Sequence, residues 1–327
     1  MKIVLCGGFG YIGCSFIDYL LLNKNFKKAE IIIIDNWSYG RGAAPYAHKL
    51  QKIKNVKILT HDISLKKINS YNNFKNHLKD CDYLINLASL TQVPDTILHY
   101  NYIYKGVKNI IDILKINKKI KKIIDISSTS IYGSVKLDKT LKSPTEPYNE
   151  EIFPNPKYSL HNYASSKLKA EKLWLNSRLP YLSLRLSTVY GFGPGLRYNQ
   201  FINSFIIDSL LAKKIILPGD GDNFRPFIHI NDLTEIFGKL LLSNVSSEIL
   251  NVGSESQNLK LKDIFKIVSN EINKLTGIRC NYNFESKFQV PKINESYKIS
   301  FDKFNKIINH KFKYNFKNAT KHFLEFI

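Results

Sequence analysis

Several things are scarce in this 327-residue chain, and each scarcity removes a class of protein. There are four cysteines, Cys6, Cys14, Cys81 and Cys280, with no CxxC and no His/Cys cluster at zinc spacing. A disulfide scaffold and a zinc module are therefore set aside, no metal site is expected, and a reduced, cytoplasmic compartment is. No run of 18 apolar residues occurs, so no membrane-spanning helix is expected. Residues 1–22 imitate a signal peptide, with Lys2 ahead of an apolar run. Glycines and Asp18 interrupt that run, however, and no small-residue cleavage site follows, so it reads as strand, turn and helix. Internal repeats and long low-complexity linkers are also missing.

Arginine is scarce too. Only six of the 48 basic residues are Arg, although the net charge is +21. That charge invites a nucleic-acid partner. Phosphate readers favour the bidentate fork of Arg, however, and here the lysines are spread along the chain among Ile, Asn, Tyr and Phe. A composition bias explains this better, so nucleic acid is disfavoured as a partner. An RNA-binding protein without catalysis is kept as the rival class; it predicts steep salt dependence of binding.

What is present begins with hydrophobic content of 44%, enough for a large core or two packed lobes. Short apolar strands are expected at Met1–Leu5, Ile31–Ile34, Val56–Leu59, Tyr83–Leu87, Ile123–Ile126 and Leu182–Leu186. Helical stretches lie between them, among them Ser15–Leu22, 102–117 and 161–178. Apolar strands alternating with helices predict an α/β fold, a doubly wound parallel sheet of the Rossmann kind. Gly and Pro become frequent after about residue 190, which predicts a smaller C-terminal, substrate-facing lobe. The expected division is 1–185 for dinucleotide binding and catalysis and 186–327 for the substrate, with some chain crossing between them.

The first turn reads Gly7-Gly8-Phe9-Gly10-Tyr11-Ile12-Gly13, after a strand and before a helix. Glycines there let backbone approach a pyrophosphate, which meets free N–H groups at the helix start. An ordinary tight turn is the plain alternative, but Asp35 closes the next strand, in IIIIDNWSYG. A carboxylate there accepts ribose hydroxyls and repels a 2′-phosphate, so NAD is favoured over NADP; Arg41 is the counter-signal.

Two further signals point to chemistry. Tyr163-Ala-Ser-Ser-Lys167 puts a phenol and an ammonium on one helix face, where the cation favours the phenolate and makes it a proton acceptor. Ser127-Ser128-Thr129-Ser130-Ile131-Tyr132-Gly133 follows the strand IIDI, placing hydroxyls at a strand's carboxyl end where such sheets bind ligands. Alone, the first is usually a solvated helix face and the second a polar turn. Their order after the glycine turn and Asp35 is what carries the reading.

In these residues the sequence resembles the extended short-chain dehydrogenase/reductases, the NAD-dependent epimerase/dehydratase group that modifies nucleotide sugars. The likeness runs from KIVLCGGFGYIG to about residue 310 through HDI (61–63), NLAS (86–89), SSTSIYG (127–133), YASSK (163–167), LRLSTVYGFGPG (184–195) and GDGDNFRPFIHINDL (219–233). The resemblance implies Ser128, Tyr163 and Lys167 as catalytic residues. It implies NAD contacts at Gly7, Gly10, Tyr11, Ile12, Gly13, Asp35, Asn36, Asp62, Ile63, Leu87 and Ala88, besides Tyr163 and Lys167. For a nucleotide-diphosphate sugar it implies Thr91, Ser128, Thr129, Thr188 and Asn199, with Arg225 on the diphosphate. The implied reaction is hydride transfer at a ring carbon, foremost C4 epimerisation, with a net dehydrogenase or reductase as the alternative. The wording RLSTVYG is similar to relatives acting on nucleotide-linked heptoses.

The chain departs from the pattern at several points. Thr129 and Ser130 stand where 4,6-dehydratases carry Asp-Glu, so dehydration is disfavoured. Thr188 and Ile103 replace usual asparagines, Asn86 replaces a usual His, and Glu295 falls where a second phosphate-binding Arg is common. The helices near 102–117 and 161–178 match a pair that forms a four-helix bundle between subunits in this family, which implies a homodimer.

Overall fold

A computed structural model describes residues 1–38, 40–91, 98–133, 147–151, 162–211, 214–285 and 297–327. Strand and helix alternate through β1 (Lys2–Cys6), α1 (Tyr11–Leu22), β2 (Glu30–Asp35), α2 (Ala44–Leu50), β3 (Val56–Thr60), α3 (Tyr71–Lys79) and β4 (Tyr83–Asn86). A π-helical turn over Tyr100–Lys105 leads into α4 (Gly106–Leu114). Then follow β5 (Lys122–Ser128), the short α5 (Ser130–Gly133), α6 (Asn162–Leu175), β6 (Tyr181–Leu186) and β7 (Thr188–Tyr190). The remainder holds α7 (Phe201–Leu210), β8 (Ile215–Pro218), β9 (Phe224–His229), α8 (Ile230–Leu242), β10 (Glu248–Val252), β11 (Asn258–Lys260), α9 (Leu261–Thr276), β12 (Tyr282–Glu285), α10 (Asp302–Ile307) and α11 (Phe316–Leu324).

Seven parallel strands form the main sheet in the order β10-β6-β5-β4-β1-β2-β3. Its β-branched strands suit burial on both faces, with successive side chains pointing opposite ways. Ile31 and Ile33 of β2 join Ile3 and Leu5 in one core, under Phe16 and Leu20 of α1 and Phe237 and Leu240 of α8. Ile32 and Ile34 join Val4 and Cys6 in the other, under Phe74 of α3, Ile110 of α4 and Trp174 of α6. Strand order reverses between β1 and β4, which opens a crevice at their carboxyl ends.

A third core, including Phe205, Phe227, Phe265 and Phe316, holds the smaller lobe together. The edge strand of the main sheet, β10, comes from far past residue 185, so the chain returns to the large sheet after entering the small lobe. Helix α1 begins at Tyr11 rather than Ser15. Glycine's poor helix propensity hides that onset in the sequence, since Gly13 already lies within the helix. Among the described residues, no helix is long and apolar enough to cross a membrane, and no His/Cys/Asp/Glu group is placed to hold a metal ion.

Candidate active site

The β1–α1 turn is shaped by what a side chain would strike. Gly7 has φ +75°, and a Cβ there would lie 2.6 Å from the Ala88 nitrogen on the neighbouring strand's loop. A Cβ on Gly13 would lie 2.5 Å from the Gly8 oxygen. Only glycine permits so tight a turn, and α1 then begins with no side-chain cap at Gly10. The first-turn N–H groups of Tyr11, Ile12 and Gly13 have no intrahelical acceptor and are available to an anion. The Tyr11 side chain does other work: its hydroxyl donates to the Gly191 carbonyl at 2.5 Å and ties the turn to the smaller lobe.

Asp35 closes β2 beside this turn. Its Oδ2 accepts from the Phe9 N–H at 2.9 Å and its Oδ1 from the Trp37 N–H at 2.8 Å. Burial pushes its carboxyl up, and those backbone donors pull it back toward the charged form. A carboxylate has about four lone-pair sites, so roughly two remain to accept ribose hydroxyls. Asp35, Asn36, Asp62, Ile63, Leu87 and Ala88 line a small cavity of about 90 Å³ with His61 and Tyr102. Asn36 donates to Asp62 at 3.1 Å, and Asp62 also accepts from the Ser64 N–H and hydroxyl. Ile63 lies against Gly106, where a Cβ would approach to 2.8 Å. The Arg41 side chain lies outside the described residues.

A larger cavity of about 920 Å³ opens next to it, lined by Gly7, Gly10–Gly13 and Leu87 on one side and by Ser128, Tyr163 and Lys167 on another. That is near the upper end of the roughly 300–1,000 Å³ of ligand sites. Helix α6 presents Tyr163 and Lys167 on one face, the ammonium 5.9 Å from the ring centroid. Lys167 is buried and donates to the Ile126 carbonyl at the end of β5, which anchors it. Ser128 closes the same strand, its Oγ accepting from the Ser130 N–H at 3.1 Å. The imidazole of His99, held by the Leu90 carbonyl at 3.0 Å, stands edge-on to the Tyr163 ring.

Thr91, Thr188 and Asn199 line this cavity. Two expected substrate contacts do not. Thr129 is turned inward, donating to the Leu186 carbonyl at 3.1 Å, because the chain bends into α5 directly after β5. Arg225 points from β9 toward the Tyr297 ring, 5.5 Å away, and is not on the lining. The arginine on the lining is Arg197, whose Nη1 donates to the Thr91 hydroxyl at 2.9 Å. It belongs to the Gly- and Pro-rich loop after β7, which the sequence marks only as the start of a lobe. Glycines let that loop press on α1: a Cβ on Gly193 would meet the Ser15 hydroxyl at 2.4 Å. Glu295 lies outside the described residues.

The site fits a dinucleotide. The glycine turn leaves room for backbone contact with phosphate, and the hydroxyls of Ser89 and Ser187, both on the lining, are buried without a partner. Such orphaned groups are unusual in an interior that ordinarily satisfies its polar atoms.

Residues 3–253 match the family model described as the NAD dependent epimerase/dehydratase family. A putative UDP-glucose 4-epimerase of Methanocaldococcus jannaschii is 28% identical over 280 residues, 83% of this chain and 82% of that one. A dTDP-D-glucose 4,6-dehydratase of Dictyostelium discoideum is 26% identical over 291 residues, 82% of this chain but 62% of its own length. The crystal structure of UDP-glucuronic acid 4-epimerase from Bacillus cereus, in complex with UDP-glucuronic acid and NAD, superposes with TM-score 0.82 at 21% identity, covering 100% of this chain and 98% of that one. At that identity the superposition speaks for the fold. The matched family model spans the glycine turn, Asp35, Ser128, Tyr163 and Lys167 together, and the chain therefore belongs to the NAD dependent epimerase/dehydratase family.

Proposed function

We propose that this chain interconverts C4 epimers of a nucleotide-activated sugar through a 4-keto intermediate. The observation that carries this reading is one cavity shared by the glycine turn, Ser128, Tyr163 and Lys167, whose described lining contains no carboxylate. In the proposed cycle Tyr163, as phenolate, accepts the proton of the C4 hydroxyl. Lys167 spends one N–H on the Ile126 carbonyl and keeps two for the phenolate and a ribose hydroxyl. Ser128 donates to the same sugar oxygen and holds it as the carbonyl forms. NAD, when bound, supplies the hydride acceptor at C4 and the donor for its return, so oxidation and reduction cancel. Tyr163 then returns its proton to the oxygen on the opposite configuration.

The relatives support both epimerisation and 4,6-dehydration. Dehydration also needs a group to remove the C5 proton and expel water from C6. At the positions following Ser128 this chain offers Thr129, turned inward, and Ser130. That favours the epimerase reading.

The test is direct. Purified protein is denatured and the released dinucleotide identified; UDP-, GDP-, dTDP- and CDP-sugars are then screened by proton NMR. A new anomeric signal without rising absorbance at the nicotinamide band is expected. Accumulating NADH would establish the net oxidoreductase instead, and a 6-deoxy methyl signal the dehydratase. We further infer a homodimer through the outer side of α4 and α6. On the π-helical turn that leads into α4, Tyr100 and Tyr104 stack at 4.7 Å with Lys169 of α6 over Tyr100, and Leu175 of α6 is exposed.

A further inference from the structure

Directly behind the reacting groups lies an ion pair that the proposed cycle does not use. Glu171 sits on α6 one turn after Lys167 and two turns after Tyr163, on the same face. Arg185 sits on β6, in register with Ser127 of β5 and Asn251 of β10. Their side chains are 1% and 0% exposed. The guanidinium grips the carboxylate with both prongs, Nε to Oε1 at 3.0 Å and Nη2 to Oε2 at 2.8 Å. The Ser127 hydroxyl donates to the same Oε1 at 2.5 Å. Arg185 Nη1 continues to the Tyr132 hydroxyl on α5 at 2.6 Å, and that hydroxyl donates to Asn251 Oδ1 at 2.9 Å. One network thus joins the helix bearing Tyr163 and Lys167, the strand end bearing Ser128, and both strands beyond.

Fold stability is a poor explanation for this arrangement. Taking two charges out of water costs several kcal/mol each, and apolar residues of similar volume often serve a core equally well or better. What apolar packing does not supply is direction. A bidentate pair fixes the rotation of α6 and its height above β5, whereas packed methyl groups tolerate sliding. Proton and hydride transfers are sensitive to that fit, a misplacement of about 1 Å costing on the order of 100-fold in rate.

We propose that the Glu171–Arg185 pair is a positioning device that sets Tyr163 and Lys167 against Ser128. It touches neither cofactor nor sugar. The proposal deepens the C4-epimerase reading and rests on it for turnover alone.

The deciding variant is the double substitution Glu171→Met, Arg185→Met. It removes both charges together and leaves no unpaired ion. Its unfolding midpoint is expected near that of the parent. Turnover of the UDP-sugar found active in the NMR screen is expected to fall about 10- to 100-fold in kcat, with KM changed less than about threefold. A readout independent of any substrate accompanies this. In protein labelled with 3-fluorotyrosine, the ¹⁹F resonance that disappears on Tyr163→Phe is expected to shift or split in the double variant. A folded double variant with parental kcat and an unmoved Tyr163 resonance overturns the proposal. Should the double variant fail to fold, Ser127→Ala decides through the resonance, because it removes the strand's hydroxyl from Glu171, although Ser127 also lies on the cavity lining. The same resonance is then expected to move, and an unmoved one with parental kcat refutes positioning. If no sugar nucleotide is turned over, the epimerase reading fails while the ¹⁹F comparison still judges this one.

Discussion

At the scale of the residue, the proposed chemistry turns on three side chains. Tyr163, Lys167 and Ser128 carry their meaning in type and spacing, and the fold brings all three to one cavity. Tyr163→Phe is expected to lower kcat by about 10²- to 10⁴-fold, the usual worth of a placed general base, with NAD still bound; single-turnover kinetics and calorimetry check the two halves. Recognition is harder to read. Arg225 was expected on the diphosphate, but Arg197 lines the cavity. A guanidinium reaches several ångströms from its backbone, and the direction it takes depends on loop geometry that no spacing encodes. His229 gave no signal either. It is fully buried, its Nδ1 accepts from the Asn231 N–H at 3.2 Å, and its Nε2 has no partner. Burial, with His322 nearby, holds its imidazole down to about 3. The unfolded chain therefore binds its proton near pH 6.5 while the folded chain does not. Its contribution is present above that pH and is lost as the pH falls toward 3, on the order of 1 kcal/mol per pH unit. Urea midpoints at pH 7 and pH 5 should show the loss, and His229→Gln should flatten it.

At the scale of the element, six of the sheet's seven strands were readable because they carry short apolar runs, whereas β10, which contains Glu248 and Asn251, was not. Strands β7, β8, β9 and β11 were not, being short, mixed in polarity and held by the small lobe's aromatic core. The glycine turn was readable for a different reason, since its residues are the only ones that fit. Gly7→Ala should cost about 1–3 kcal/mol from its left-handed backbone, with a further penalty from the collision with Ala88. Thermal unfolding should register a lower midpoint and calorimetry weaker NAD binding. An unchanged NAD affinity would show that this turn does not hold the pyrophosphate.

At the scale of the whole molecule, composition spoke least. The +21 charge belongs to lysines spread along the chain, and no cavity or groove described above depends on it. The homodimer proposed through the outer side of α4 and α6 is a matter of mass. Light scattering should give a mass about twice the 37.8 kDa of one chain, and a value near one chain would remove the dimer. The outline drawn at residue 185 allows for some chain crossing; β10 returns to the large sheet from beyond that point, and a separate aromatic core lies past residue 189.

That return has a consequence for how the protein is made. Until Glu248–Val252 leaves the ribosome, β6 has one unpaired flank, a template for the wrong partner. The nascent chain must therefore carry an unfinished sheet through synthesis of the entire loop, α7 and α8. A truncation ending at 185 keeps every residue proposed for catalysis and leaves that flank bare for good. Such a fragment will be found in the pellet, and no choice of buffer supplies the missing strand.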